Sequence, residues 1–271
     1  AGGDSGGASR RPRRPCVPCI PSIACHFAPA RRLRGALAVV LCVLCALVVV
    51  GAGHGQQVPG FVRSVGRPGP LGMLNVPMGV AVSHGEDGRV YVVDSGNARV
   101  QAFAPSGGVI GMWGVRGSRD GEFWEATDAA VSPDGRHVYV VDKRLRIVQQ
   151  FDADACLGVS RGRCFVRSWG GWGTGPGQFQ DPIGIAGDAE SRVFVVDWGA
   201  HVVQMFDAGG TYLSTFAHPG EDREGLFRPS DIDVAPNGVV WVADRDHRRI
   251  YLFAVVKKDA QWIAQPGDDF A

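Results

Sequence analysis

From residue 61 onward, apolar and polar positions alternate in short runs bounded by Gly, Pro, Asp and Asn, which predicts strands and tight turns and no helix. The pattern repeats. Tyr91-Val92-Val93-Asp94, Tyr139-Val140-Val141-Asp142, Phe194-Val195-Val196-Asp197 and Trp241-Val242-Ala243-Asp244 are four strands that end in Asp, spaced by 48, 55 and 47 residues. Each Asp is followed nine residues later by a Phe (Phe103, Phe151, Phe206, Phe253) and six residues later by Val100, Val148, Val203 or Ile250.

A run of small and β-branched residues precedes each of these strands, opening at Pro77, Ala126, Pro182 and Pro229. Such residues suit strands crowded near an axis. Turn chemistry follows, as in Ser132-Pro133-Asp134-Gly135 and Ala235-Pro236-Asn237-Gly238. A strand carrying the Phe and a fourth, aromatic-ended strand complete each unit, so the spacing predicts an all-β propeller with blades near 77–114, 126–170, 182–217 and 229–265. Gly121-Glu122-Phe123, Gly177-Gln178-Phe179 and Gly225-Leu226-Phe227 link the blades.

These motifs resemble the NHL-repeat family over residues 61–271, with Asp94-Ser95-Gly96-Asn97-Ala98-Arg99-Val100 the nearest match. The resemblance implies a six-bladed ring, of which this chain supplies about four complete blades. Phe61–Val65 reads as an additional outer strand and Pro266–Phe270 as the entry to a further blade. Unpaired end blades invite aggregation, so the expectation is a portion of a longer protein or closure with a partner.

The segment before the propeller differs in kind. Residues 1–34 read as a disordered basic leader, and residues 53–60 as a linker. Residues 35–52 hold a wholly apolar core, Ala36–Val50, and read as a signal-peptide core or a signal-anchor transmembrane helix. Arg31, Arg32 and Arg34 hold its N-terminal side in the cytoplasm, which places the propeller on the extracytoplasmic side, secreted or membrane-anchored. The absence of Met before Met73 points either to a chain whose own start lies upstream or to a leader that is in part not natural protein.

Charge follows the same division. Seven Arg against one Asp give residues 1–35 a charge of +6, and the 21 basic and 26 acidic side chains that remain give −5. An acidic body argues against nucleic acid as partner. Lys143, Arg144 and Arg146, with Arg245 and Arg248, nevertheless fall on equivalent turns and make one rim locally basic. Trp172 and Trp198 lie in links or turns where a blade core does not need them, and these seven residues are the candidates for contact with a protein or small ligand. Trp113, Trp169 and Trp241 occupy repeat positions and are expected in the core.

No catalytic residue, cofactor or metal site is assigned. Asp94, Asp142, Asp197 and Asp244 recur in every blade, as structural residues would, accepting turn amides or pairing with an Arg such as Arg99 or Arg249. Resemblance to the amidating lyase domain of secreted repeats implies a zinc-binding His on the inner strand. The matching positions hold Met78, Thr127, Ile183 and Ser230, none of which supplies an imidazole. Cys156 and Cys164 are spaced to close a disulfide loop if the body is exported. The expected function is a non-catalytic scaffold that binds a protein or ligand. A lyase or hydrolase with its catalytic groups on further blades, and an RNA-binding NHL domain, are the alternatives.

Overall fold

The computed structural model describes residue 64 and residues 72–84, 87–158, 164–220, 225–258 and 261–266. The basic leader, the apolar segment 35–52, the linker and, apart from Ser64, the strand expected over 61–65 lie outside these, as do residues 267–271. Among the described residues no helix is long and apolar enough to cross a membrane.

Four antiparallel sheets of four strands make the blades, each in simple up-and-down order. Blade 1 comprises β1 (Pro77–Val82), β2 (Val90–Asp94), β3 (Arg99–Phe103) and β4 (Val109–Trp113). Blade 2 comprises β5 (Ala126–Val131), β6 (His137–Asp142), β7 (Ile147–Asp152) and β8 (Phe165–Gly170). Blade 3 comprises β9 (Pro182–Gly187), β10 (Val193–Asp197), β11 (Val202–Phe206) and β12 (Tyr212–Phe216). A two-residue parallel pair, β13 (His218–Pro219) with β14 (Gly225–Leu226), leads into blade 4. That blade comprises β15 (Pro229–Val234), β16 (Val239–Asp244), β17 (Arg249–Lys258) and β18 (Gln261–Pro266).

The inner strands β1, β5, β9 and β15 stand side by side in that order. Among the described residues β15 has no comparable packing against β1, so the four blades form an arc. Alternation along each strand explains the core. Tyr91, Val93, Val100 and Ala102 point from blade 1 onto Val138, Val140 and Phe151 of blade 2. Tyr139, Val141 and Val148 meet Val193, Val195 and Phe206 of blade 3, and Phe194, Val196, Val203 and Met205 meet Val240, Val242 and Phe253 of blade 4. Phe103, Phe151, Phe206 and Phe253 are all buried at these repeat positions. The hydrophobic effect thus acts between blades: each two-sided sheet is covered by its neighbours.

Two local devices hold the array. The residue four after each recurrent Asp adopts a left-handed backbone, at Ala98, Arg146, His201 and Arg248, although none of these is glycine. Cys156 and Cys164 form a disulfide. Just beyond Cys156, Gly158 bonds along the edge of β4, accepting from Met112 N and donating to Ile110 O. Gly111 permits this approach, because a Cβ there would lie 2.6 Å from the Cys156 carbonyl oxygen.

Candidate binding face

Each recurrent Asp ends the second strand of its blade, beside the turn to the third strand and the link from the preceding blade. Their side chains are almost fully buried. The link amides of Asn75, Trp124, Gln180 and Phe227 donate to Asp94, Asp142, Asp197 and Asp244 at 2.6, 2.7, 2.7 and 2.6 Å. Turn amides complete the shell: Leu145 N donates to Asp142, Gly199 N and Ala200 N to Asp197, and His247 N to Asp244. A carboxylate that accepts several backbone amides in a buried pocket ties link, strand and turn together. Arg99 Nε pairs with Asp94 at 2.7 Å. In blade 4 the corresponding arginine, Arg249, is exposed, and His247 Nδ1 approaches Asp244 at 3.3 Å instead.

A second recurrent polar residue escaped the sequence reading. Gln101, Gln149 and Gln204 sit seven residues after the Asp and are buried in the third strand. Gln149 accepts from Gly121 N at 2.8 Å and donates to Glu122 O at 2.7 Å; Gln204 does the same with Gly177 N and Gln178 O. Gln101 bonds Gly72 N and Met73 O. Blade 4 has Tyr251 here, which bonds His247. The signal was present in the sequence as a Gln at one register in three of the four blades.

With their inner sides committed, the turns and links expose their outer sides on one face. Trp198 is half-buried between two cations: Lys143 Nζ of blade 2 lies 5.6 Å from its ring and the Arg228 guanidinium of blade 4 lies 4.8 Å from it. Each such contact contributes about 0.5–1 kcal/mol at an exposed site. Arg228 also pairs with Asp246 at 3.3 Å, and its backbone N–H donates to His201 Nδ1 at 2.8 Å. The His201 ring stacks on Phe227, which is itself 43% exposed. Neither Arg228 nor His201 stood out in the sequence, because the residue type changes from blade to blade at their positions: Ala98, Arg146 and Arg248 match His201, and Glu125 and Asp181 match Arg228.

Lys143, Arg144 and Arg146 line, with Glu125 and Asp181, an open depression of about 430 Å³. Arg146 Nε donates to Gln180 O at 2.8 Å, so this arginine also braces a link. Arg144, Arg245 and Arg248 are exposed. Trp172 is 75% exposed and Trp124 44%, both in links on the same face. The expectation for core tryptophans holds at Trp113, which is buried, and in part at Trp169. It fails at Trp241, which is 43% exposed because, among the described residues, no blade packs on that side of blade 4.

At the axis, equivalent positions of the inner strands hold Gly79, Asp128, Gly184 and Asp231. Asp128 accepts from Ala129 N at 2.8 Å and from Ile185 N at 3.0 Å. Burial raises its pKa well above the usual carboxylate range and the Asp231 charge adds to this, against the opposing amide bonds. Asp231 moves the same way through burial and the charge of Asp233, but its residue is open to water, so the larger effect belongs to Asp128. Among the described residues no three His, Cys, Asp or Glu side chains converge as a metal site requires.

Four-stranded blades set serially round an axis and stapled by buried acids define a β-propeller. Residues 74–103 match the NHL repeat, so the first blade of this propeller is similar to that repeat. A stretch of 78 residues is 32% identical to the protein brain tumor of Drosophila melanogaster, covering 28% of this chain and 8% of that one. Another comparison aligns 74 residues at 36% identity with the probable peptidyl-alpha-hydroxyglycine alpha-amidating lyase pgal-1 of Caenorhabditis elegans, covering 26% of this chain and 21% of that one. The chain therefore spans about a fifth or less of these curated relatives. A streptogramin B lyase structure superposes with a TM-score of 0.50 at 15% identity, covering 72% of this chain and 56% of that one, a likeness of fold alone.

Proposed function

We propose that this chain is a non-catalytic NHL-type scaffold that binds an acidic protein segment on the face built by Trp198, Lys143 and Arg228. One observation carries the reading: two cations from different blades converge on one tryptophan at a junction where the buried framework does not use them. The side chains named on this face comprise six cations (Lys143, Arg144, Arg146, Arg228, Arg245, Arg248) against Glu125, Asp181 and Asp246, on a body whose net charge is −5. Local positive excess on an acidic body steers acidic groups to that face. Exposed aromatics beside arginines provide the contact area that anchors interfaces. The disulfide supports export, or anchoring with the propeller outside the cytoplasm, since such bonds persist in oxidising compartments.

Titration of the chain with a fluorescent oligo-glutamate peptide tests the reading. Saturable binding that weakens at least tenfold in a Lys143→Ala, Arg228→Ala variant supports it, and unchanged affinity rejects the face. Tighter, strongly salt-dependent binding of a single-stranded RNA under the same conditions replaces it with the nucleic-acid reading. A propeller lyase is the second reading, favoured by the identity to the probable amidating lyase. Asp128, which retains its proton to higher pH than an ordinary carboxyl, is the residue that could supply acid–base chemistry at the axis. Turnover of a peptidyl α-hydroxyglycine that is lost in Asp128→Asn would establish it.

A further inference from the structure

The residue just before the inner strand sets the junction of blades 3 and 4 apart. In blades 2 and 3 the amide of this residue is held by the recurrent acid: Glu125 N donates to Asp142 at 3.1 Å and Asp181 N to Asp197 at 2.9 Å. Arg228 takes the position in blade 4. Its backbone is left-handed, with φ 57°, and its N–H donates to Nδ1 of His201 in the preceding blade at 2.8 Å. Where the earlier links rest on a carboxylate, this one rests on an imidazole.

That bond requires a particular charge state. Nδ1 accepts only while its lone pair is free, so His201 is neutral here, with its proton on Nε2. The same bond holds the backbone from which the Arg228 guanidinium reaches Trp198, 4.8 Å from the ring. A left-handed conformation is unfavourable for a residue other than glycine and persists where its surroundings hold it. Protonation of Nδ1 sets one N–H against another and puts a positive charge beside Arg228. Asp246, which already pairs with Arg228 at 3.3 Å, remains as an alternative partner, and Lys143, 5.6 Å from the Trp198 ring, adds repulsion. Asp181 lies beside Lys143 in the neighbouring depression, and Asp197 and Asp244 are occupied by turn and link amides. His247 also touches the Phe227 ring, but its Nδ1 faces the Asp244 carboxylate at 3.3 Å, a contact that protonation strengthens.

We infer that His201 makes the binding face sensitive to pH: neutral, it holds Arg228 on Trp198, and protonated, it releases the link so that the face comes apart. The consequence for binding rests on the reading of this face as the binding site, whereas the release of Arg228 does not. Added positive charge by itself strengthens the attraction of an acidic segment. A weakening on acidification is therefore the mark of the switch.

NMR of the full chain between about pH 7.5 and about pH 5.5, the range in which imidazoles ordinarily titrate, tests the release. The Arg228 amide is expected to shift with the midpoint of the His201 ring and to lose its protection against exchange. An Arg228 amide that stays protected while His201 titrates overturns the inference, and so does one that follows His247. Affinity for the oligo-glutamate peptide, measured at the same two pH values, is expected to fall about fivefold or more on acidification. His201→Asn keeps a neutral oxygen acceptor and tolerates the left-handed backbone, φ 61° here, so it should bind as the parent does at the higher pH and lose the fall at the lower one. A variant that keeps the parent's fall, or a parent whose affinity holds or rises at the lower pH, overturns the inference. A peptide that binds at neither pH rejects the binding face and leaves the Arg228 amide to decide on the switch.

Discussion

Asp142 and Lys143 are adjacent in the chain and opposite in what they do. Asp142 is fully buried and accepts amides from Trp124, Glu125 and Leu145. Lys143 turns outward over Trp198 of the next blade. The inner side of every turn repeats the same bonding because a buried carboxylate must be satisfied wherever it occurs. The outer side varies, with Ser95, Lys143, Trp198 and Arg245 in the four blades, because solvent satisfies whatever stands there. In this molecule, repetition marks what the fold requires and departure from it marks where recognition can be placed.

Substitutions on the two sides should therefore differ in kind. The largest effect is expected from Asp142→Ala, which strands several buried amides and should cost about 3 kcal/mol or more in chemical denaturation. A cost under about 1 kcal/mol would break the comparison. Replacing Cys156 and Cys164 by Ser should cost about 2.5 kcal/mol for a loop this short and also release Gly158 from the β4 edge. Gln149→Leu, which removes the bonds to Gly121 N and Glu122 O, should cost about 2 kcal/mol. At the other extreme, Trp172→Ala should change stability by no more than about 0.5 kcal/mol, since the side chain is mostly in water.

The axial carboxylates sharpen the contrast through pH. A carboxyl whose folded pKa is raised favours the protonated folded state, so its contribution to stability is fully present below the unfolded pKa and is lost as pH rises through the folded value. For Asp128 that loss begins near the ordinary carboxylate range, about 4, and extends above it. Asp231→Asn removes the nearby charge and should move the Asp128 titration, followed by NMR, back toward the ordinary range. A titration of Asp128 unmoved by this change would mean that the two carboxyls do not interact.

Much of this was legible in the sequence, for identifiable reasons. The Asp and Phe registers revealed the all-β propeller repeat because they answer to packing inside one repeat. Gln149 was equally legible and went unread, its recurrence hidden by Tyr251 in blade 4. Trp241 was misplaced because a repeat position fixes which way a side chain points and leaves open whether a neighbour waits there. Asp128 and Asp231 escaped because the inner strands read as runs of small residues, and their alternation with Gly79 and Gly184 has meaning only across blades. Arg228 could not have been found by register, since its partners are Trp198 of blade 3 and Asp246 in the β16–β17 turn of its own blade.

The account depends most on the claim that recurrent buried acids bind the exposed links into the sheet framework. Amide hydrogen exchange tests this at Asn75, Trp124, Gln180 and Phe227, whose side chains sit at or near the surface while their N–H groups point at Asp94, Asp142, Asp197 and Asp244. The account predicts that these four amides exchange as slowly as the neighbouring strand amides. Exchange at the rate of open loops, with the strands still protected, would contradict it.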